Sequence, residues 1–140
     1  MAEAQSLKDS FVANLGLPYT KIRNSLYRIS GKCVNVKITT PRTSSRYWFN
    51  IQAEADSYIW ICYNPQLGNI VVYYWIPSDQ MHRLINTKSY PDRTWELRGR
   101  IIPNFEIDPK SDSYRVKDYS ESISQFKNLK TSPQIMSDRV

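Results

Sequence analysis

Residues 57–77, SYIWICYNPQLGNIVVYYWIP, limit the possible folds more than any other stretch of the chain. Two runs, SYIWICYN and IVVYYWIP, are apolar on both faces and are separated by the turn-forming PQLGN. A strand that is apolar on both faces must be covered on both faces. The pair therefore predicts a β-hairpin at the centre of a sheet with further structure on either side. With 140 residues, 41% of them hydrophobic, the chain has apolar material for a single core.

The other elements are read outward from that hairpin. Leu7, Phe11, Val12 and Leu15 recur at helical spacing over residues 5–15, and Gly16 is a natural stop. A short helical turn is expected over 19–25. LYRIS leads into a turn at Ser30-Gly31-Lys32. The CVNVKIT run then alternates, with Val34, Val36 and Ile38 on one side and Cys33, Asn35 and Lys37 on the other. RYWFNIQAE reads as the next strand. After Pro77, Ser78 caps a helix that places Met81, Leu84 and Ile85 on one face. TWELRGRIIPNFEID offers one or two short edge strands, interrupted at Pro103. SDSYRVKDYSESISQFKNLK suggests a last helix packed through Tyr119, Ile123 and Phe126. This order predicts an α+β (or α/β) single domain over residues 1–130, with a frayed tail at 131–140. Its core would be a central mixed sheet of four or five strands with flanking helices.

Several chemistries find no support. Cys33 and Cys62 lie within strand-like runs and are expected as reduced, buried thiols; with His82 as the sole histidine they do not make a zinc site. The N-terminal MAEAQSLKDSF lacks the apolar stretch of a signal peptide, and no run approaches the roughly 20 apolar residues of a membrane span. The expectation is a cytoplasmic protein that does not enter a membrane. No GxSxG, P-loop or GxGxxG occurs.

The net charge is +6 and the pI about 9.4, which suits an anionic partner. The cations are concentrated where acids are missing: no Asp or Glu occurs from residue 10 to residue 53. Within that interval KITTPRTSSR supplies Lys37, Arg42 and Arg46 together with Thr39, Thr40, Thr43, Ser44 and Ser45. Arg and Lys neutralise phosphates, and hydroxyls add neutral hydrogen bonds to phosphate oxygens. Pro41 stiffens the start of the loop. Lys32 is a further candidate cation, and Tyr47 and Trp48, next to the loop, are candidates to stack on bases. The alternative is a solvated loop whose arginines pair with acids elsewhere.

A strand carrying Lys37, a hydroxyl loop, an aromatic strand, and a central apolar strand that meets a helix at WIPSDQMHRL together resemble PD-(D/E)XK restriction-endonuclease-like domains. The resemblance spans roughly residues 5–86. It implies a metal-dependent nuclease centre in which two carboxylates hold Mg²⁺ and the lysine orients water. In the family pattern an acid stands two residues before the lysine; here that residue is Asn35. Glu54 and Asp56 are the candidates for a migrated acidic pair, sharing a face with Gln52 if that strand stays extended. The resemblance thus implies a degenerate centre, with no metal or other cofactor, that binds DNA without cutting it.

The sequence therefore predicts nucleic-acid binding, in the first place to double-stranded DNA, in a restriction, defence or mobile-element setting. Lys32, Lys37 and residues 39, 40 and 42–48 would make the contacts. Two alternatives stay open. One is an active Mg²⁺-dependent endonuclease using Lys37, Glu54 and Asp56; the other is a protein-interaction module. A homodimer or larger complex is compatible with all three.

Overall fold

The computed structural model describes residues 2–41, 46–51, 54–86, 93–97, 100–110 and 120–121, and within these the side chains of 6–41, 46–51, 54–83 and 105–110. In chain order the elements are α1 (Ala2–Ala13), β1 (Tyr19–Arg23), β2 (Leu26–Ile29), β3 (Lys32–Thr39), β4 (Tyr47–Asn50) and β5 (Ser57–Asn64). They continue with β6 (Asn69–Pro77), α2 (Ser78–Asn86), β7 (Arg93–Leu97), β8 (Arg100–Ile107) and β9 (Ser120–Glu121).

The apolar hairpin is β5 and β6, antiparallel, with its turn at residues 65–68 and Gly68 at φ 70°. It lies inside a six-stranded sheet of order β1-β2-β3-β5-β6-β9, and a second sheet has the order β4-β8-β7. The first sheet is mixed, because β3 pairs with β5 in parallel while its other pairings are antiparallel. The fold is α+β. As expected, its core is a central mixed sheet of five strands, β1, β2, β3, β5 and β6, to which the two-residue β9 adds a short pairing at the β6 edge.

Both faces of β5 are covered, as its composition requires. Ile59, Ile61 and Tyr63 face α1, where Leu7, Phe11 and Val12 pack with Val34, Val36, Tyr27 and Ile29. Tyr58, Trp60 and Cys62 face Tyr47, Phe49, Phe105 and Ile107 of the second sheet and Met81 of α2. Phe49 stacks on Trp60 with centroids 4.8 Å apart and an interplanar angle of 4°. Aromatic pairs of this kind add about 0.5–1.5 kcal/mol to the burial of their area.

Five expectations need correction or fall outside the described residues. Residues 19–23 form a strand and no helical turn. All five are exposed, so no burial period marks them, and their state is set by pairing with β2. RYWFNIQAE stops being a strand at Asn50. The segment around Pro103 does hold one edge strand, β7, but Pro103 does not interrupt: β8 runs unbroken from Arg100 to Ile107, paired with β7 over Arg100–Asn104 and with β4 over Asn104–Ile107. Pro103 is tolerated because pairing with β4 ends at Asn50↔Asn104, so its missing N–H removes nothing from that ladder. Ser120 and Glu121 add a short strand beside Tyr74 and Tyr73. Tyr119, Ile123 and Phe126, and the tail at 131–140, lie outside the described residues.

The turn between β2 and β3 is as read from sequence. Ile29 pairs with Lys32, leaving Ser30 (φ 51°) and Gly31 (φ 81°) as a two-residue loop, the mirror-image turn that suits a twisted hairpin. No described helix is long and apolar enough to cross a membrane.

Candidate functional site

The stretch from Thr40 to Arg46 joins strands of different sheets. The chain leaves β3, crosses to β4 above Trp60, and returns as β5 parallel to β3. The loop therefore begins where the two layers meet. Arg42, Thr43, Ser44 and Ser45 lie outside the described residues.

Lys37 lies on the β3 face that looks toward the second sheet. The parallel register sets Asn35 beside Tyr58, Lys37 beside Trp60, and Thr39 beside Cys62. Lys37 is half-buried, and its Nζ donates to Asn50 Oδ1, at the end of β4, at 3.0 Å. Its pKa is lowered, first by burial and then by the nearby cation Lys8. Lys8 comes from α1, on the other face of the sheet. Its Nζ donates to Ser25 Oγ at 3.1 Å, and its pKa is lowered by burial and by Lys21, against the opposing pull of Asp9. Neither Lys8, Ser25 nor Asn50 is marked by the sequence alone. Lys8 sits one residue after a buried leucine on an ordinary helix, and only chain pairing brings it to the sheet edge.

Other polar groups sit on the same row of β3. Asn35 is 5% exposed, and its Oδ1 has no hydrogen-bond partner among the described residues; the same holds for the Thr39 hydroxyl. Both are neutral, so the row adds no negative charge beside Lys37. Thr40 is exposed.

The remaining candidates divide. Arg46 is exposed, its side chain 55% accessible, and pairs with Glu106 at 3.6 Å. Tyr47, expected as a stacking residue, is 2% exposed and belongs to the core. Burial raises its pKa to about 12, with a smaller push from Cys62. The alternation of β4 turns Tyr47, Phe49 and Ile51 inward together, which leaves half-buried Trp48 as the aromatic beside the loop. Lys32 is exposed in the hairpin turn at the opposite end of β3, five residues from Lys37 and on the other face.

Glu54 and Asp56 do not meet Lys37. Asp56 Oδ2 accepts the Cys33 N–H at 2.9 Å, and the Asp56 N–H donates to Cys33 O at 2.8 Å. The Ser78 N–H donates to Asp56 O at 3.1 Å. Asp56 thus ties together the starts of β3, β5 and α2. Cys33 precedes Lys37 by four strand residues, about 13 Å at 3.3 Å per residue. Glu54 is 82% exposed and lies 3.6 Å from His82 Nε2. β4 ends at Asn50, and Glu54 and Asp56 lie outside any strand before β5, so these two share no strand face; Gln52 lies outside the described residues. Among the described residues no three His, Cys, Asp or Glu side chains are placed to hold a metal ion. Cys33 and Cys62 are free thiols, Cys62 fully buried.

No family model matches the chain, and neither a curated protein nor a solved structure does so.

Proposed function

We propose that this chain binds nucleic acid, duplex DNA in the first place, by holding backbone phosphates at the end of β3. Lys37 anchors the contact. The 39–46 loop supplies hydroxyls and arginine, and Trp48 is the aromatic neighbour. The supporting observation is a charge imbalance. Lys37 is partly withdrawn from water, and the charged group that acts on it, among the described residues, is a second cation, Lys8. A half-buried ammonium without a counter-charge is costly, and a phosphate oxygen would relieve that cost.

The resemblance to restriction-endonuclease-like domains fits this reading as a binding domain that does not cut. Asn35 stands where the family pattern has an acid. It is neutral and buried, and cannot replace a carboxylate in charging a Mg²⁺ site. A restriction, defence or mobile-element role is the setting such a domain suits.

Fluorescence anisotropy with a short labelled duplex over a salt series tests the proposal. Binding to unrelated sequences should weaken steeply as salt rises. Absence of binding at low salt would overturn it.

A further inference from the structure

Pairing between β2 and β3 ends at Leu26↔Asn35, and the next rung is the Val36 N–H donated to Ser25 O at 2.8 Å. Beyond it the last residues of β3 have no β2 residue beside them. Two ammonium groups reach this notch from opposite faces of the sheet. Lys37 approaches from the side of the second sheet, held by Asn50 at 3.0 Å. Lys8 approaches from α1, held by Ser25 Oγ at 3.1 Å. Lys21 of β1 lies near Lys8 and pairs with Asp9 at 3.4 Å, and Asp9 also accepts the Tyr27 hydroxyl. The edge therefore carries three lysines and one carboxylate that is already engaged.

We propose that Lys8 and Ser25 form a second phosphodiester contact beside Lys37, continuing the nucleic-acid surface from Lys37 onto α1 and the β1–β2 turn. This rests on the binding reading above and adds residues outside the basic loop. The ligand class follows from the layout. The cations run from β3 past β2 to β1, two strand spacings across and, since Lys21 is level with Val34, three residues along, about 14 Å in all, which is longer than one phosphate group. An extended polyanion matches that line; a single free phosphate would leave part of it unmatched. The Ser25 hydroxyl, an acceptor for Lys8, can turn to donate to a phosphate oxygen while Lys8 shifts to the same anion.

Binding of a labelled duplex is measured for the parent protein, Lys8→Met, Lys8→Arg and Ser25→Ala over a salt series. The parent should bind. Lys8→Met should lose about fivefold in affinity at moderate salt and lower the salt slope by about one, and Lys8→Arg should restore the slope. Ser25→Ala should weaken binding and leave the slope unchanged, since it removes no charge. As a check that does not depend on a variant folding, Lys8 in the parent protein should be protected from acetylation by bound duplex and left unprotected by inorganic phosphate. If the parent does not bind, the underlying reading fails. If it binds but Lys8→Met keeps the parent slope, or duplex leaves Lys8 open to acetylation, the Lys8 site is overturned while binding through the loop stands.

Discussion

Lys37→Met separates the two roles that the structure gives this residue. Methionine keeps most of the apolar stem beside Trp60 and removes the charge. The substitution loses the Lys37–Asn50 hydrogen bond, 3.0 Å long with a charged donor, an interaction of about 1.5–3 kcal/mol. It also removes the penalty for holding an ammonium partly away from water and the repulsion from Lys8, the two causes that lower the Lys37 pKa. The effects oppose each other, and the net stability change should be about 1 kcal/mol or less. For a chain of this length that moves the melting temperature by roughly 5 °C at most. Binding should lose about 1 kcal/mol, roughly fivefold, because the phosphate loses its charged donor. Thermal melts by circular dichroism and duplex anisotropy at moderate salt measure both. Collapse of the fold would mean that Lys37 chiefly locks β3 to β4, and the phosphate argument would be refuted. Parent-like affinity would refute it as well.

Arg42→Ala combined with Arg46→Ala should weaken duplex binding on every sequence and lower the salt slope by about two. Stability should fall by about 1 kcal/mol, because Arg46 is exposed but Glu106 is only 13% accessible and loses its cation; an unchanged slope would count against the loop. With Mg²⁺ or Mn²⁺ the protein should leave plasmid and single-stranded DNA intact. Asp56→Ala should cost about 1 kcal/mol of stability through loss of its bond to the Cys33 N–H, and Glu54→Ala less than about 0.5 kcal/mol. Cleavage that either variant abolished would establish the nuclease alternative. Stability should also fall in alkali. Cys62 and Tyr47 have raised pKa values in the fold, so the folded state keeps protons that the unfolded chain releases above about pH 9 and pH 10. Their contribution is complete below those values and declines as pH rises, for Tyr47 across pH 10 to about 12. Tyr47→Phe should flatten that part of the melting-temperature profile; a curve parallel to the parent's above pH 10 would contradict the assignment.

What could be read from the sequence was what depends on local periodicity. The β5–β6 hairpin is apolar on both faces whatever it pairs with, so its central place in a sheet followed directly. The Leu7, Phe11 and Val12 stripe defined the buried face of α1, and the alternation of residues 33–38 set Lys37 opposite the valines. Ser30-Gly31 specified its own turn.

Tertiary structure decided what depends on distant partners. Residues 19–23 have no buried side, so only the β2 ladder makes them a strand. Tyr47 and Trp48 are adjacent in a strand, and the pleat sends one into the core and leaves the other half-buried; which one goes inward depends on which face of β4 meets the first sheet. Asp56 became the tie between β3, β5 and α2 because parallel pairing sets it beside Cys33. The same placement separates it from Lys37. Lys8 and Lys37 are 29 positions apart and start from opposite faces of the sheet. They share an edge because β2 stops one rung short of Lys37 and α1 lies across the gap. Charge in a sequence can be counted residue by residue, but which charges act on one ligand depends on how strands are paired, and that pairing is set by burial of the apolar faces.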